Sequence, residues 1–174
     1  RPTTDDRFPH CVGVEFWELG VDGFHPVVHW LSSSRSMSHR VFLLSPANCG
    51  GIRARQVLSD VSQAAVAVQL RTSQGAALGE VFSFVSGLYF RGKLAYAKRF
   101  ARPPDPTDRV VAGGVLVITP NAGLRAADVA VTVDSIRAFS GEPIDLANAR
   151  YRRPLEQGAR ALADQPGRAP DEDA

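Results

Sequence analysis

Two short apolar runs, each followed at once by a small polar loop, constrain the fold of this chain more than any other feature. Residues 41–44 run into the loop 45–51, and residues 115–118 run into the loop 119–124. Four consecutive apolar residues bounded by turn signals are typical of a strand buried on both faces. Sheets with such strands are covered by helices, so the two runs predict central strands of an α/β domain.

The remaining segments complete the predicted fold. Apolar and polar residues alternate over 12–17, and an apolar run over 27–31 follows the turn 20–23, which predicts a β-hairpin. Helical spacing predicts helices after Gly51, over 64–70 and over 151–163, and either one long helix or two helices joined near Gly87 over 78–100, while the run 129–133 predicts a further strand. The expected architecture is a mixed, mainly parallel sheet flanked by helices, with the N-terminal hairpin at an edge.

Length, charge and cysteine content narrow the class of protein. The 174 residues, 44% of them hydrophobic, suffice for one core, so we expect a single domain over 1–164 followed by a disordered acidic tail over 165–174. The net charge is only +2, and no apolar stretch is long enough to span a bilayer, which predicts no membrane partner. Two cysteines and the absence of a signal-peptide pattern favour a cytoplasmic protein.

The two polar loops are the first candidate site. In open α/β sheets, ligands bind beyond the carboxyl ends of the strands, where glycines let the backbone approach and Asn or hydroxyl groups supply hydrogen bonds. Tight turns use the same residue types for steric reasons, so a purely structural role is the alternative. The residues predicted to bind a nucleotide or base are Ser45, Asn48, Gly50, Gly51, Thr119 and Asn121.

Residues within and after these loops are candidates for catalytic groups. Asp134 follows the run 129–133, and with Asn48 or Asn121 it could position a water for hydrolysis of a glycosidic bond. Cys49 is a second candidate, as a nucleophile, although a buried and inert thiol is the favoured interpretation. No phosphate-loop, dinucleotide or metal-ligand spacing occurs, so neither a cofactor nor a metal is predicted.

The predicted helix over 86–100 interleaves aromatic and basic residues. Rings that stack on bases and cations that contact phosphates suit nucleic acid, whereas an amphipathic helix with its rings inward is the alternative. The candidate nucleic-acid-binding residues are Tyr89, Arg91, Lys93, Lys98 and Arg99.

Residues 83–163 resemble a known group of proteins. The order Leu-Tyr-Phe-Arg-Gly-Lys-Leu-Ala-Tyr-Ala over 88–97, a strand ending in Ile-Thr-Pro-Asn-Ala-Gly-Leu over 118–124, and Tyr151 with its helix carry the resemblance. It is similar to small, uncharacterised bacterial relatives of the peroxide-stress YaaA-like proteins, although Thr119-Pro120-Asn121-Ala122 replaces the small residues that precede Gly-Leu there. The resemblance implies association with nucleic acid or a nucleobase, with Arg91, Lys93 and Asn121 at matching positions.

The leading hypothesis is therefore a nucleic-acid-associated domain that recognises a nucleotide or base at the two strand-end loops, with or without glycosidic hydrolysis. The alternative is a non-catalytic protein-interaction or homo-oligomerising domain, in which the hairpin and aromatic residues such as Trp17 and Trp30 pack on a partner or on a second copy of the chain. The candidate partners are accordingly DNA, RNA and a second copy of the chain.

Overall fold

The computed structural model describes residues 12–16, 26–30, 39–108, 110–111 and 113–164. The strands are β1 (Val12–Phe16), β2 (Pro26–Trp30), β3 (Arg40–Leu44), β4 (Ala76–Ala77), β5 (Val115–Thr119), β6 (Gly123–Ala126) and β7 (Ala130–Val131). The helices are α1 (Ile52–Leu58), α2 (Ala65–Leu70), α3 (Leu78–Ser86), α4 (Leu88–Phe100), α5 (Val133–Ser140) and α6 (Ala149–Ala163). The proposed tail over 165–174 lies outside the described residues, and the division into one domain and a tail stays a prediction.

A five-stranded mixed sheet, in the order β1-β2-β3-β5-β6, forms the centre of the fold. The α/β class, the mixed sheet and the position of the β1–β2 hairpin at an edge are confirmed. The mainly parallel character is not, because in the described sheet the parallel pairing is that of β3 with β5 and the other pairs are antiparallel. Parallel strands require a long crossover, which helices α1 to α4 provide here, while short turns elsewhere enforce antiparallel pairing.

The side chains of β3 and β5 alternate between two hydrophobic cores. Phe42 and Val117 point into the main core with residues from α1, α3, α4 and α5. Val41 and Leu116 point to the opposite face, where they pack with Val111 and with Leu162 of α6. Because successive side chains of a strand leave on opposite faces, these strands are buried on both sides, as four consecutive apolar residues predict.

Of the two alternatives for residues 78–100, the structure has two helices, and α3 and α4 are joined at Gly87. Gly87 has a φ of +79°, a backbone conformation that favours glycine, and a Cβ at this position would collide with the guanidinium of Arg53 from α1. The chain therefore turns back at Gly87. Gly79 near the start of α3 then packs against Leu94 in the middle of α4, whose methyl carbons lie 3.0 and 3.2 Å from where a Cβ on Gly79 would be.

The segment from 119 to 134 differs from the sequence prediction in two ways. The second polar loop is a hairpin turn, because Gly123 and Leu124 already belong to β6, which pairs antiparallel with β5. The strand expected over 129–133 is reduced to β7, which pairs with β4 in a separate two-stranded sheet. Asp134 accordingly lies in the first turn of α5, whose start is marked by the hydrogen bond from Thr132 N–H to Ser135 Oγ at 3.3 Å. This local capping signal outweighs the apolar run that precedes it.

Candidate nucleic-acid interface and the strand-end loops

The first strand-end loop, residues 45–51, connects β3 to α1. The Asn48 side-chain oxygen accepts a hydrogen bond from the Gly50 N–H at 3.0 Å, and the Gly50 carbonyl accepts one from Arg55 at 3.2 Å. Asn48 is exposed and Ser45 is half-buried. A side chain that bonds the backbone two residues ahead stabilises a turn, so Asn48 has a structural role even before any ligand is considered.

The second strand-end loop uses its polar groups within the protein. The Thr119 hydroxyl is fully buried, donates to the Gly123 carbonyl at 2.9 Å and accepts from the Ala122 N–H at 3.0 Å. The Asn121 amide donates to the carbonyl of Ala138, in the last turn of α5, at 2.9 Å. These bonds close the β5–β6 turn and attach it to α5.

Both loops meet the carboxyl end of α5. Asn121 bonds to Ala138, and a Cβ on Gly50 would lie 3.6 Å from the Ser140 carbonyl oxygen. The convergence follows from the parallel pairing of β3 and β5, whose carboxyl ends reach the same edge of the sheet. The structure thus brings the loops of Asn48 and Asn121 to one place.

Asp134 is not part of this arrangement. It lies at the amino end of α5, about 6 Å along the helix axis from Ala138. Its side chain is 90% exposed and pairs with Arg137 at 3.4 Å, an i,i+3 contact on the helix surface. The role proposed for Asp134 depends on a position at the exit of a strand, whereas Asp134 lies within α5, one helical turn before the residue that Asn121 contacts.

The pKa values of two other ionisable groups argue against one catalytic role each, Cys49 as a nucleophile and Glu142 as a general acid. Burial raises the pKa of the Cys49 thiol to about 12, so the nucleophilic thiolate is disfavoured and the inert-thiol interpretation is supported. Hydrogen bonds from Arg150 at 2.8 Å and Asn148 at 3.2 Å hold the pKa of Glu142 below its usual value. A carboxylate held ionised in this way is a poor general acid.

The five basic and aromatic candidates all lie on α4, but on different parts of its surface. Phe90, Leu94 and Ala97 bury one side of this helix. Arg91 and Lys98, which we call the basic flank, are exposed on one side of that buried stripe, seven residues and about 10 Å apart along the axis. They make no ion pair or side-chain hydrogen bond with the described residues.

The aromatic flank lies on the other side of α4 and consists of Tyr89, Lys93, Tyr96 and Phe100. The Lys93 ammonium lies 3.7 Å from the centre of the Tyr89 ring, a cation–π contact, and burial lowers the pKa of Lys93. Tyr96 contacts Phe100 with ring centroids 4.5 Å apart and the β3 residue Phe42 at 5.8 Å. Tyr89 and Tyr96 remain 60% and 58% exposed. Arg99 is exposed on the outer surface between the two flanks.

The basic flank borders a groove of about 430 Å³ between α2, α3 and α4. The residues that line it include Val66, Glu80, Phe84, Arg91, Leu94 and Lys98. Sequence reasoning missed this groove. Glu80 and Phe84 are four residues apart on α3 and therefore lie on the same face of that helix. Only the turn at Gly87 brings that face against α4.

No protein-family model, curated protein or solved structure matches this chain. The resemblance of residues 83–163 to YaaA-like proteins therefore stays a prediction. Within the described residues, no helix is long and apolar enough to cross a membrane. The same part of the chain holds no group of three or more His, Cys, Asp or Glu side chains arranged to bind a metal ion.

Proposed function

We propose that this protein is a nucleic-acid-associated domain that holds a single strand across the exposed surface of α4. The observation that carries the proposal is the combination, on one helix, of three cations whose side chains have no partner among the described residues and two tyrosines that are more than half exposed. The cations are Arg91, Lys98 and Arg99. Cations contact phosphates, and exposed rings stack on unpaired bases with little regard to sequence.

The division of α4 into two flanks supports a single strand as the ligand. A strand that crosses the helix can stack bases on the rings of one flank and place phosphates against the cations of the other, with room for a base beside those cations. A rigid duplex keeps its bases stacked inside and leaves the rings without a partner. The cation–π contact of Lys93 with Tyr89 also holds one ring in place before a base arrives.

The strand-end loops contribute less to this proposal than α4. Asn121 and Thr119 already have hydrogen-bond partners within the protein, whereas the Asn48 amide nitrogen has none among the described residues. Recognition of a base by Asn48 stays a prediction. We propose no hydrolysis, because Asp134 lies at the other end of α5.

A salt titration tests the proposal. Binding of short, labelled single-stranded DNA and RNA is measured by fluorescence anisotropy at increasing KCl concentration. Each phosphate contact on a single strand contributes about −0.7 to the slope of log K against log salt, so Arg91→Gln with Lys98→Gln should make the slope shallower by about 1.4.

The matched control is Arg125→Gln with Arg160→Gln, which removes the same charge from β6 and α6, away from α4. We expect the control pair to keep the wild-type slope. Absence of binding at low salt, or equal slopes for the two double variants, would contradict the proposal.

Self-association is the second candidate function, and the exposure of Tyr89 and Tyr96 favours it. Exposed rings in a row on one helix are also common at protein interfaces. Light scattering over a range of concentrations separates the two functions. A mass that rises to that of a dimer and returns to that of a monomer in Tyr89→Ala would favour the interaction domain.

A further inference from the structure

Glu80 occupies an unusual position in the groove between α2, α3 and α4. It is exposed and shares the groove with Arg91 and Lys98, yet it forms no ion pair with either of them. The neighbouring polar group on α3, the Ser83 hydroxyl, donates to the Gly79 carbonyl at 2.7 Å. Among the described lining residues, Glu80 is thus the acidic group left to contact a ligand.

The packing of α3 on α4 places this carboxylate relative to the cations. Because Gly79 packs against Leu94, Glu80 lies beside the middle of α4, between the levels of Arg91 and Lys98. Phe84, one turn further along α3, supplies apolar surface to the same groove together with Leu94. The groove therefore offers an apolar wall, one acceptor and a cation towards each end.

We propose that this groove binds a guanine base of the single strand, with the Glu80 carboxylate accepting hydrogen bonds from guanine N1–H and N2–H. This inference rests on the proposed binding of nucleic acid by α4. An ionised carboxylate has two acceptor oxygens and no donor. Guanine is the base whose Watson–Crick edge presents two adjacent donors, so it matches both oxygens.

The other bases fit this acceptor less well. Uracil and thymine place carbonyl oxygens on both sides of their single N–H, and adenine and cytosine place a ring-nitrogen acceptor beside their amino group. Each of these acceptors would face a carboxylate oxygen, which is repulsive in a partly desolvated groove. The volume of about 430 Å³ is within the range of roughly 300–1000 Å³ that is usual for small-ligand sites.

The test compares oligouridylates that carry one guanosine, inosine or adenosine at the central position. Inosine keeps N1–H and lacks the N2 amino group, so it removes one of the two proposed hydrogen bonds. By anisotropy, the wild-type protein should bind the guanosine oligomer about tenfold more tightly than the inosine oligomer, as a bidentate base contact gives. Glu80→Gln should lose the preference for guanosine, because the Gln amide replaces one acceptor oxygen with a donor, and it should retain the binding of plain oligouridylate.

Glu156→Gln is the control, because Glu156 is an exposed glutamate on α6 and it should keep the preference for guanosine. Equal wild-type affinity for the three oligomers, or a preference that survives in Glu80→Gln, overturns this inference while the proposed function stands. Failure to bind any of the oligomers at low salt overturns both.

Discussion

At the scale of single residues, the polar and reactive side chains of the strand-end loops serve mainly the fold. Thr119 is buried with both of its hydrogen bonds directed to its own turn. Cys49 is 3% exposed and belongs to the main hydrophobic core. A thiol in that setting behaves as a small apolar group, so the reactivity that its glycine neighbours suggest does not develop.

The pKa of Cys49 gives a prediction with a definite sign. The native thiol, with a pKa of about 12, stays protonated at pH values where the unfolded thiol, with an ordinary pKa near 9, ionises. The folded protein therefore keeps its full stability with respect to this thiol below about pH 9. Its free energy of unfolding then falls as the pH rises towards 12, by at most about 1.4 kcal/mol per pH unit. Urea unfolding between pH 8 and pH 11 measures this loss, because the unfolded thiol ionises within that range.

Cys49→Ala is the comparison that isolates the thiol. Burial also raises the pKa of Tyr151, so the free energy of unfolding falls with rising pH in both the wild-type protein and the variant. The decline should be steeper in the wild-type protein than in Cys49→Ala. Parallel curves for the two proteins would contradict the prediction.

At the scale of elements, α5 joins the two loops and α4 carries the proposed binding surface. The carboxyl end of α5 accepts the Asn121 amide and abuts Gly50. This contact explains why the β5–β6 turn carries an Asn at its centre without reference to a ligand. On α4, three buried residues leave more than half of the helix surface exposed, and the two flanks lie on opposite sides of that surface.

Substitution of Asn121 tests the link between the turn and α5. Asn121→Ala removes the hydrogen bond to the Ala138 carbonyl and should lower the free energy of unfolding by about 1 kcal/mol. Asn121→Asp should lower it further, because a carboxylate faces a carbonyl oxygen at the negative end of a helix. Gln157→Ala on the exposed surface of α6 is the control and should stay within about 0.5 kcal/mol. If Asn121→Asp proved as stable as the wild-type protein, the bond to α5 would have no energetic role.

At the scale of the whole molecule, stability depends on two cores separated by the sheet. The second core is small and is completed by Leu162 near the end of α6. Gly123 supports this side of the molecule as well, because it has no Cβ to collide with the Pro154 carbonyl of α6, and its φ of +67° also favours glycine. A helix at the end of the described chain is thereby an integral part of the fold.

Leu162→Ala tests that conclusion. The substitution leaves a cavity beside Val41, Val111 and Leu116, and it should cost about 2–4 kcal/mol in urea unfolding. The control is Leu146→Ala, which removes the same atoms from a side chain that is 66% exposed and should cost less than about 0.5 kcal/mol. Similar small losses in both variants would mean that α6 adds little to the second core.

The sequence by itself determined the elements whose signals are local. The apolar runs within β3 and β5 and the helical spacing of α1 to α4 and of α6 depend on residues close together in the chain. Only the tertiary structure decided that residues 123–126 pair with β5 and that Glu80 lines the same groove as the basic flank of α4. These features depend on pairing and packing between distant segments, and local residue patterns leave such contacts undetermined.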